Sequence, residues 1–419
     1  MRKGVEGMKR YVIIGNGVAA VGCIEGIRSL DRDTEIVVVS GEGRPTYCRP
    51  LISYYLENKT DLDKMLYRPA GFYEENGCRV LYGVRAEAID SGKRTVSLSS
   101  GESVEYSALC VATGSVPFVP NFEGLETVKH ISCFMTAEDA LAIEGMLFPG
   151  ARVLIMGAGF IGLKCAEGLR DKVGSVTVCD LAPHILSSIL DGESAEMMEQ
   201  GLEANGIRLI LGDTASRFAD GKAFLQSGEE VEFDILVLAV GVRPDTRLFA
   251  AAGGKVDRGI VTDEHMKTSL ADVYAAGDCA ESFDVSCGEQ AVLANMPNAY
   301  LQGHTVGVNM AGGTEAFDKG IKMNSIGFFG QHVITAGSRG EDCQVFAEKG
   351  ADFIKKLYVK NDRLVGYILL GNVDRAGIYT ALIREGTALS ALNFDLLTRL
   401  PALAAFPAEH RKAVLGGVV

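Results

Sequence analysis

The sequence lacks the features that mark metal centres, membrane spans and secreted proteins. Its ten cysteines are scattered singly without a Cys-x-x-Cys pair, which argues against zinc and iron–sulfur sites. No stretch approaches about 18 apolar residues, so we expect no membrane span, and the N-terminus has no apolar core of a signal peptide. Because unpaired thiols at this density suggest a reducing cytosol, we expect a cytoplasmic protein without a bound metal.

Positive charge and proline are also scarce. The chain of 419 residues carries 41 Lys and Arg against 54 Asp and Glu, a net charge of −13. Because binding to a phosphate backbone needs clustered positive charge, we expect no nucleic-acid partner. The 50 glycines against 11 prolines fit many tight turns, and the length predicts two or three domains.

The sequence does contain two similar segments of 17 residues each. Residues 12–28 read VIIGNGVAAVGCIEGIR, and residues 154–170 read LIMGAGFIGLKCAEGLR. Each copy is a short apolar run, a glycine-rich turn and a helix-like stretch, as in a βαβ unit. One such element is a weak signal of a dinucleotide site, but two in matching context predict two dinucleotides and electron transfer between them.

The glycine turns have the spacing that a dinucleotide site needs. The first turn is G-x-G-x-x-A and the second is G-x-G-x-x-G, with key positions Gly15, Gly17 and Ala20, then Gly157, Gly159 and Gly162. The first glycine permits the tight turn, the second lets the backbone approach a pyrophosphate, and the third small residue lets helix and strand pack closely. The helix N-terminus then offers free N–H groups to the phosphates.

An acidic residue is expected about 20 residues after each turn, where it can bind ribose hydroxyls. In the second copy this residue is Asp180, whose carboxylate would repel a 2′-phosphate, so NAD(H) is favoured over NADP(H). In the first copy the equivalent position is Ser40, and the nearest acid is Glu42. Either the acid has moved by two residues, or the ribose is held differently and Glu42 is a solvated loop charge.

Three further segments complete a recognisable series. They are Ala112-Thr113-Gly114, the run LAVGVRP at residues 238–244, which contains Gly241, and the run TSLADVYAAGDCA at residues 268–280. Together with the glycine turns, in this order and spacing, they resemble the FAD/NAD(P)-dependent pyridine nucleotide-disulfide oxidoreductase superfamily over nearly the whole chain. The resemblance implies that the first turn binds FAD and the second NAD(P)H. It also implies that Asp278 bonds the FAD ribityl chain and that residues 112–114 lie beside the FAD.

Within this superfamily, residues 47–56 (YCRPLISYYL) are most similar to NADH–rubredoxin reductases and to the NADH-oxidising part of assimilatory nitrite reductases. That similarity implies that Arg49 and Pro50 contact FAD and that Ala86 lies near its adenine. The implied α/β fold is glutathione-reductase-like, with two Rossmann-like domains and a C-terminal α+β domain. We expect an FAD-binding domain at 8–116 and 241–315, an NAD-binding domain at 117–240, a C-terminal domain at 316–402 and a tail at 403–419.

Two residues are candidates for a catalytic role. The sequence has no Cys-x4-Cys pair of the glutathione-reductase type, but Cys48 lies about two residues from where single-cysteine relatives carry their redox thiol. A reactive thiol needs a site that stabilises the thiolate, and Arg49 is a candidate stabiliser. Lys164 lies in the first turn of the NAD-site helix, where many relatives carry Glu. It either faces the flavin–nicotinamide junction or is a surface lysine.

The function implied is hydride transfer from NADH to FAD, followed by electron transfer to a rubredoxin- or ferredoxin-like carrier or to a partner subunit. One alternative is a Cys48-dependent disulfide, persulfide or peroxide reductase, or an NADH oxidase. Another is the electron-input subunit of a larger complex. Docking of an acidic carrier would need a basic patch. The candidates are Lys349, Lys355, Lys356, Lys360 and Arg363, although a solvated charged face is the favoured interpretation of these residues. The sequence leaves a homo-oligomer open.

Overall fold

The structure is a computed structural model that describes residues 9–415, and it divides into two compact units. The first unit combines the chain up to Tyr47 with residues 66–116 and 244–322. The second combines residues 48–65, 117–243 and the chain from Met323 onward. The three-domain division stays a prediction, and its starting residue Met8 and the tail residues 416–419 lie outside the described residues.

The first unit is built on a five-stranded parallel sheet. In spatial order its strands are Val273–Ala275, Ala108–Val111, Arg10–Ile14, Glu35–Ser40 and Cys78–Tyr82. The central strand is buried along Tyr11–Ile14, as expected of a parallel sheet that is covered on both faces. This sheet, and its counterpart in the second unit, confirm the predicted α/β class.

Helices and small antiparallel sheets complete the first unit. The helices are Val18–Leu30, Phe72–Glu75, Arg247–Ala251 and Met296–Met310. The antiparallel strands are Ala86–Asp90, Thr95–Leu98 and Ser103–Glu105 in one sheet, and Glu281–Asp284 and Glu289–Val292 in a hairpin.

Helices Val18–Leu30 and Met296–Met310 pack backbone to backbone. Glycines face the partner helix at the crossing, and a Cβ added to any of them would lie 2.0–2.3 Å from a carbonyl oxygen of that helix. These residues are Gly22, Gly26, Gly303 and Gly307. A side chain here would push the helices apart, so the crossing fixes the helix that follows the first glycine turn.

The second unit repeats the architecture. Its five-stranded parallel sheet has the order Ile207–Leu211, Ser175–Asp180, Arg152–Met156, Ile235–Leu238 and Ile131–Cys133. The accompanying helices are Arg49–Leu51 (3₁₀), Ile52–Leu56, Leu125–Thr127 (3₁₀), Ala137–Met146, Phe160–Leu169 and Gly192–Ala204. The strands of a small antiparallel sheet are Ala215–Ala219, Lys222–Leu225 and Glu230–Glu232.

The second unit also contains a five-stranded antiparallel sheet from the C-terminal part of the chain. Its strands, in spatial order, are Met323–Phe328, Gln331–Gly337, Arg363–Leu370, Ile354–Lys360 and Gln344–Lys349. The helices that follow are Ala376–Glu385, Leu389–Ala391 (3₁₀), Phe394–Arg399, Leu403–Ala405 (3₁₀) and Ala408–Leu415. The remaining short strands of the chain are Ser115–Pro117 and Val242–Pro244. In residues 9–415 we find no helix that is long and apolar enough to cross a membrane.

Candidate functional site

The first glycine turn follows the central strand of the first unit. Gly15 has φ +106°, and a Cβ there would lie 2.0 Å from the carbonyl oxygen of Ala112. Its N–H donates to the carbonyl of Val39 at 2.9 Å, which ties the turn to the neighbouring strand. Only glycine combines this backbone conformation with this close approach. Gly15 and Ala112 are thus brought together, as the motif predicts.

The start of the following helix is open and uncapped. Gly17 is its N-cap, no side chain accepts a hydrogen bond from the helix start, and no atom lies within 4 Å of a Cβ added at Gly17. Ala20 is fully buried. A helix N-terminus leaves N–H donors without intrahelical acceptors. These donors, beside open space, fit a bound phosphate group.

The second turn repeats this geometry closely. Gly157 has φ +112° and a Cβ there would lie 2.2 Å from the carbonyl oxygen of Ala239, while its N–H donates to Cys179 at 2.7 Å. Gly159 is an N-cap without a side-chain cap and has open space around it. A Cβ added at Gly162 would lie 2.0 Å from the carbonyl oxygen of Gly157, so this position also needs glycine. The second turn therefore also fits a phosphate.

The structural repeat extends beyond the glycine turns to segments that the sequence reading treated separately. The N–H of Ala112 donates to Ile14, and the N–H of Ala239 donates to Met156, each at 2.7 Å. Two residues later, Gly114 and Gly241 both have positive φ and open space around an added Cβ. The similarity of LCVATG (109–114) and LVLAVG (236–241) was the missed signal. Gly241 is therefore the counterpart of Gly114.

The two strand ends differ in the chemistry that they offer. The Asp180 carboxylate accepts the N–H groups of Ala158, at 2.6 Å, and Ala182, at 2.8 Å. Each carboxylate oxygen has a second acceptor position, so Asp180 can hold the glycine turn and still accept a ribose hydroxyl. The equivalent Ser40 is buried, and its hydroxyl donates to the carbonyl of Glu42 at 2.8 Å. It offers no charge.

Glu42 is not simply a solvated loop charge. It is half-buried, and its carboxylate accepts a hydrogen bond from the Tyr47 hydroxyl at 2.8 Å. Ala86 begins a strand in the same unit. It follows Val84, whose N–H donates to the carbonyl of Ser40 at 2.9 Å. Glu42 and Ala86 are thus both placed at the end of the second strand, and their roles toward a cofactor stay predictions.

Asp278 follows Gly277, where an added Cβ would lie 3.2 Å from the side chain of Ala19 in the helix of the first turn. It follows strand Val273–Ala275, and its carboxylate accepts from the Ser115 hydroxyl at 3.2 Å. The preceding Gly277 donates its N–H to the buried side chain of Gln302 at 2.7 Å. Thr113 is fixed as well, because its hydroxyl donates to the carbonyl of Asp245 at 2.6 Å. The structure therefore brings Asp278, Thr113 and Gly114 together in the first unit.

Cys48, Arg49 and Pro50 lie in the second unit, where the last two begin a 3₁₀ helix and are exposed. The Arg49 guanidinium donates to the carbonyl of Met135 at 3.2 Å. Burial raises the pKa of the Cys48 thiol, and the Leu51 N–H only partly opposes this. The surroundings of Cys48 therefore do not stabilise a thiolate.

Lys164 is neither a surface lysine nor free. Its side chain is 15% exposed, it forms an ion pair with Glu167 and it donates to the carbonyl of Gly327 at 3.2 Å. Its ammonium also lies 5.0 Å from the centre of the Tyr54 ring. Glu167 in turn accepts the N–H of Phe329 at 2.6 Å. This cluster joins the NAD-site helix to the C-terminal sheet within the second unit.

The lysines of the candidate basic patch are paired with carboxylates. Each of its lysines forms an ion pair with a carboxylate of the same unit. The pairs are Lys349–Glu193, Lys355–Glu348, Lys356–Asp191, Lys356–Glu193 and Lys360–Asp342. These pairs favour a solvated charged face over a basic docking surface, and the docking site of an acceptor stays a prediction. Separately, in the part of the chain that the structure describes, no group of three or more His, Cys, Asp or Glu could hold a metal ion.

Comparison with known proteins identifies the family. Residues 9–303 match the family described as pyridine nucleotide-disulphide oxidoreductase. The match covers well over half of the chain, so the protein belongs to this family. A solved structure of a covalent putidaredoxin reductase–putidaredoxin complex has the same fold, with a TM-score of 0.87 and 21% identity, over 98% of this chain and 99% of that chain.

The chain matches some relatives over most of their length and others over about half. The chain is 29% identical to an NADH-dependent phenylglyoxylate dehydrogenase subunit epsilon of Aromatoleum evansii, over 94% of this chain and 95% of that one. It is 28% identical to a nitrite reductase [NAD(P)H] of Bacillus subtilis, over 92% of this chain and 48% of that one. It is 29% identical to a rubredoxin-NAD(+) reductase of Pseudomonas putida, over 72% of this chain and 80% of that one. The chain thus spans about half the length of the nitrite reductase.

These findings confirm the predicted family, the fold class and the cofactors. The protein is an oxidoreductase and a flavoprotein, and its cofactors are FAD and NAD(H). The predicted direction of electron flow, from NADH through FAD to a redox acceptor, is confirmed at this level. The identity of the acceptor and the roles of individual residues remain predictions.

Proposed function

We propose that this oxidoreductase takes electrons from NADH held by the second unit and passes them, through FAD held by the first, to a separate redox protein or partner subunit. The proposal rests on the two glycine turns, which share one backbone geometry. They differ at the end of the neighbouring strand, where the second unit has the carboxylate of Asp180 and the first has the hydroxyl of Ser40. When bound, FAD supplies the chemistry, because it accepts two electrons from NADH and can release them singly.

Residues of the second unit hold and select NADH in this proposal. The open, uncapped helix start at Gly159 receives the pyrophosphate, and the Asp180 carboxylate receives the ribose hydroxyls. Because a carboxylate repels a 2′-phosphate, NADH is preferred over NADPH. Lys164 acts as a positioning residue for the NAD-site helix, because its ammonium is engaged by Glu167 and by the carbonyl of Gly327 in the C-terminal sheet.

Residues of the first unit hold FAD. The helix start at Gly17 receives the pyrophosphate, with Gly15 and Ala20 shaping the turn. Asp278 accepts hydroxyls of the ribityl chain, and the open backbone at Gly114 leaves room beside it. The expected FAD contacts of Glu42 and Ala86 are carried over from the resemblance, as are those of Arg49 and Pro50, which belong to the second unit.

The raised pKa of Cys48 speaks against the thiol-based alternative. A redox thiol must be a thiolate to attack, and burial disfavours that form here. The guanidinium of Arg49, the candidate stabiliser, donates to the carbonyl of Met135. Burial also raises the pKa of the thiols of Cys78, Cys133, Cys165, Cys179, Cys279 and Cys287.

A protein acceptor fits the relatives better than a small disulfide does. The end-to-end match to a dehydrogenase subunit supports a partner subunit, and the rubredoxin reductase supports a small carrier. Because the lysines of residues 349–360 are paired with carboxylates, docking at that part of the second unit would depend on shape and on apolar contact more than on positive charge.

The test compares acceptors under anaerobic conditions with NADH in excess. We expect rapid reduction of a one-electron dye and of a rubredoxin or ferredoxin, and equal rates for the wild type and Cys48→Ser. Co-purification with a partner that restores turnover would support the subunit form. Loss of all activity in Cys48→Ser with FAD still bound, together with turnover of a disulfide, persulfide or peroxide, would contradict the proposal.

A further inference from the structure

The middle residue of the first glycine turn is held by a network of uncharged side chains. The Tyr73 hydroxyl donates to the side-chain oxygen of Asn16 at 2.7 Å and accepts the N–H of Thr46 at 3.3 Å. The Thr46 hydroxyl donates to the backbone carbonyl of Asn16 at 2.8 Å. Both the side chain and the backbone of Asn16 are therefore fixed from one side.

The network is anchored in the first unit. Thr46 is buried, and the Tyr73 ring packs edge-on against Phe72 and Tyr82, with centroids 5.3 Å and 6.4 Å away. The side-chain amide of Asn16 also points to the carbonyl of Arg44 at 3.5 Å. Because the anchoring groups come from the loop after the second strand and from helix Phe72–Glu75, they can hold the turn independently of any ligand.

The second turn has no such network at the matching position. There the middle residue is Ala158, which has no polar side chain. Its carbonyl accepts the backbone N–H of Leu186 at 3.0 Å, and its N–H is bonded to Asp180. Thr46 lies six positions after the strand-end residue of the first copy, and Leu186 lies six positions after that of the second. The carbonyl of the middle turn residue therefore accepts from a hydroxyl in the first copy and from a backbone N–H in the second.

We propose that Asn16, Thr46 and Tyr73 form a positioning network that sets the first glycine turn in its FAD-binding conformation before the cofactor arrives. A turn that is already ordered loses less conformational entropy when it binds, so the affinity rises without a new contact to the ligand. The network carries no negative charge that would repel a pyrophosphate. The network therefore raises the affinity of the first turn for FAD without adding a contact to the cofactor.

This inference rests on the proposed assignment of FAD to the first turn, and the experiment separates the two. FAD is removed from the protein, the apoprotein is titrated with FAD by quenching of flavin fluorescence, and NADH binding to the apoprotein is measured by calorimetry. A wild-type apoprotein that does not bind FAD overturns the assignment itself. A wild-type apoprotein that binds FAD allows the variants to test the network.

Tyr73→Phe removes one hydroxyl and keeps the ring, and Tyr82→Phe, on the neighbouring exposed ring, is the matched control. We expect the Kd for FAD to rise about tenfold in Tyr73→Phe, as for one lost hydrogen bond. We expect it to stay within about twofold in Tyr82→Phe, and the Kd for NADH to be unchanged in both. The Tm of the apoprotein should fall by less than the Tm of the FAD-loaded protein.

A second pair of variants guards against simple misfolding. Thr46→Val removes the hydroxyl and should weaken FAD binding as Tyr73→Phe does. Thr46→Ser keeps the hydroxyl and should bind FAD with nearly the affinity of the wild type. Wild-type FAD affinity in both Tyr73→Phe and Thr46→Val would overturn the proposal. An equal loss of NADH affinity, or an equal fall of Tm in the apoprotein and the loaded protein, would also overturn it by showing a general structural role.

Discussion

The two glycine turns have the same backbone and different neighbours. Gly15 and Gly157 share a positive φ, a close approach to an alanine carbonyl and an N–H bond to the adjacent strand. Around them, however, the first turn is held by Thr46 and Tyr73, and the second by Asp180. The backbone thus makes a general phosphate site, and the residues after the strand end determine how a dinucleotide is held there.

The repeated helices follow the same division. Arg28 and Arg170 have equivalent roles. The guanidinium of Arg28 donates to the carbonyl of Asn76, two residues before strand Cys78–Tyr82. That of Arg170 donates to the carbonyl of Asn205, two residues before strand Ile207–Leu211. Glu25 and Glu167, in contrast, tie their helices to unrelated segments. Glu25 accepts from Arg68 and Tyr300, while Glu167 pairs with Lys164 and accepts the Phe329 N–H. Positions that act inside the βαβ unit are repeated in role, and outward-facing positions are not.

The largest effect is expected where one repeated glycine meets two different partners. A Cβ at Gly26 would lie 2.3 Å from the His304 carbonyl oxygen, whereas one at Gly168 would lie 3.0 Å from that of Ser53. We expect Gly26→Ala to lower the free energy of unfolding by about 2–4 kcal/mol and Gly168→Ala by less than about 1 kcal/mol. Urea denaturation of both variants measures this, and equal losses would show that the two helix crossings are alike.

A second pair of variants tests the ligands instead of the fold. Gly17 and Gly159 have open space and ordinary φ, so an added methyl group disturbs only a bound phosphate. We expect Gly17→Ala to weaken FAD binding, and Gly159→Ala to raise the KM for NADH, each by about tenfold or more. Flavin content and steady-state kinetics are the readouts. Loss of FAD in Gly159→Ala with retention in Gly17→Ala would reverse the assignment of the two sites.

The variant Asp180→Ser places a serine at the end of strand Ser175–Asp180, as at the end of strand Glu35–Ser40. Loss of a charge-assisted hydrogen bond should raise the KM for NADH about tenfold and should narrow the preference over NADPH, with the FAD content unchanged. Asp180→Glu keeps the charge and serves as the control. An unchanged ratio of kcat/KM for NADH and NADPH in Asp180→Ser would show that this carboxylate does not select the nucleotide.

The smallest effect concerns pH. Burial acts to raise the pKa of Glu25, but hydrogen bonds from Arg68 and Tyr300 outweigh it and leave that pKa below its ordinary value. A carboxyl with a lowered pKa in the folded state contributes stability at neutral pH that is lost as the pH falls below about 4.5. We expect Glu25→Gln to lose about 1 kcal/mol at pH 7 and little at pH 3. A constant difference in the free energy of unfolding across this range would contradict the role of the Glu25 charge.

Sequence patterns predicted the parts of the molecule that depend on neighbours along the chain. The strand, turn and helix of each copy, and Asp180 at a strand end, follow from local spacing. The helix crossing of Gly22 and Gly26 was not predicted, because its partner helix begins at Met296. The pairing of the candidate basic patch was not predicted for the same reason, since the acids that pair with Lys349 and Lys356 are at residues 191 and 193.

The central claim is that the first turn retains FAD and the second exchanges NADH. The most direct measurement incubates the purified protein with both dinucleotides, removes free ligand by gel filtration and counts what remains bound. We predict about one FAD per chain and almost no NAD(H), followed by bleaching of the flavin when NADH is added without oxygen. A protein that retains NAD(H) and loses FAD, or a bound flavin that NADH does not bleach, would contradict the account.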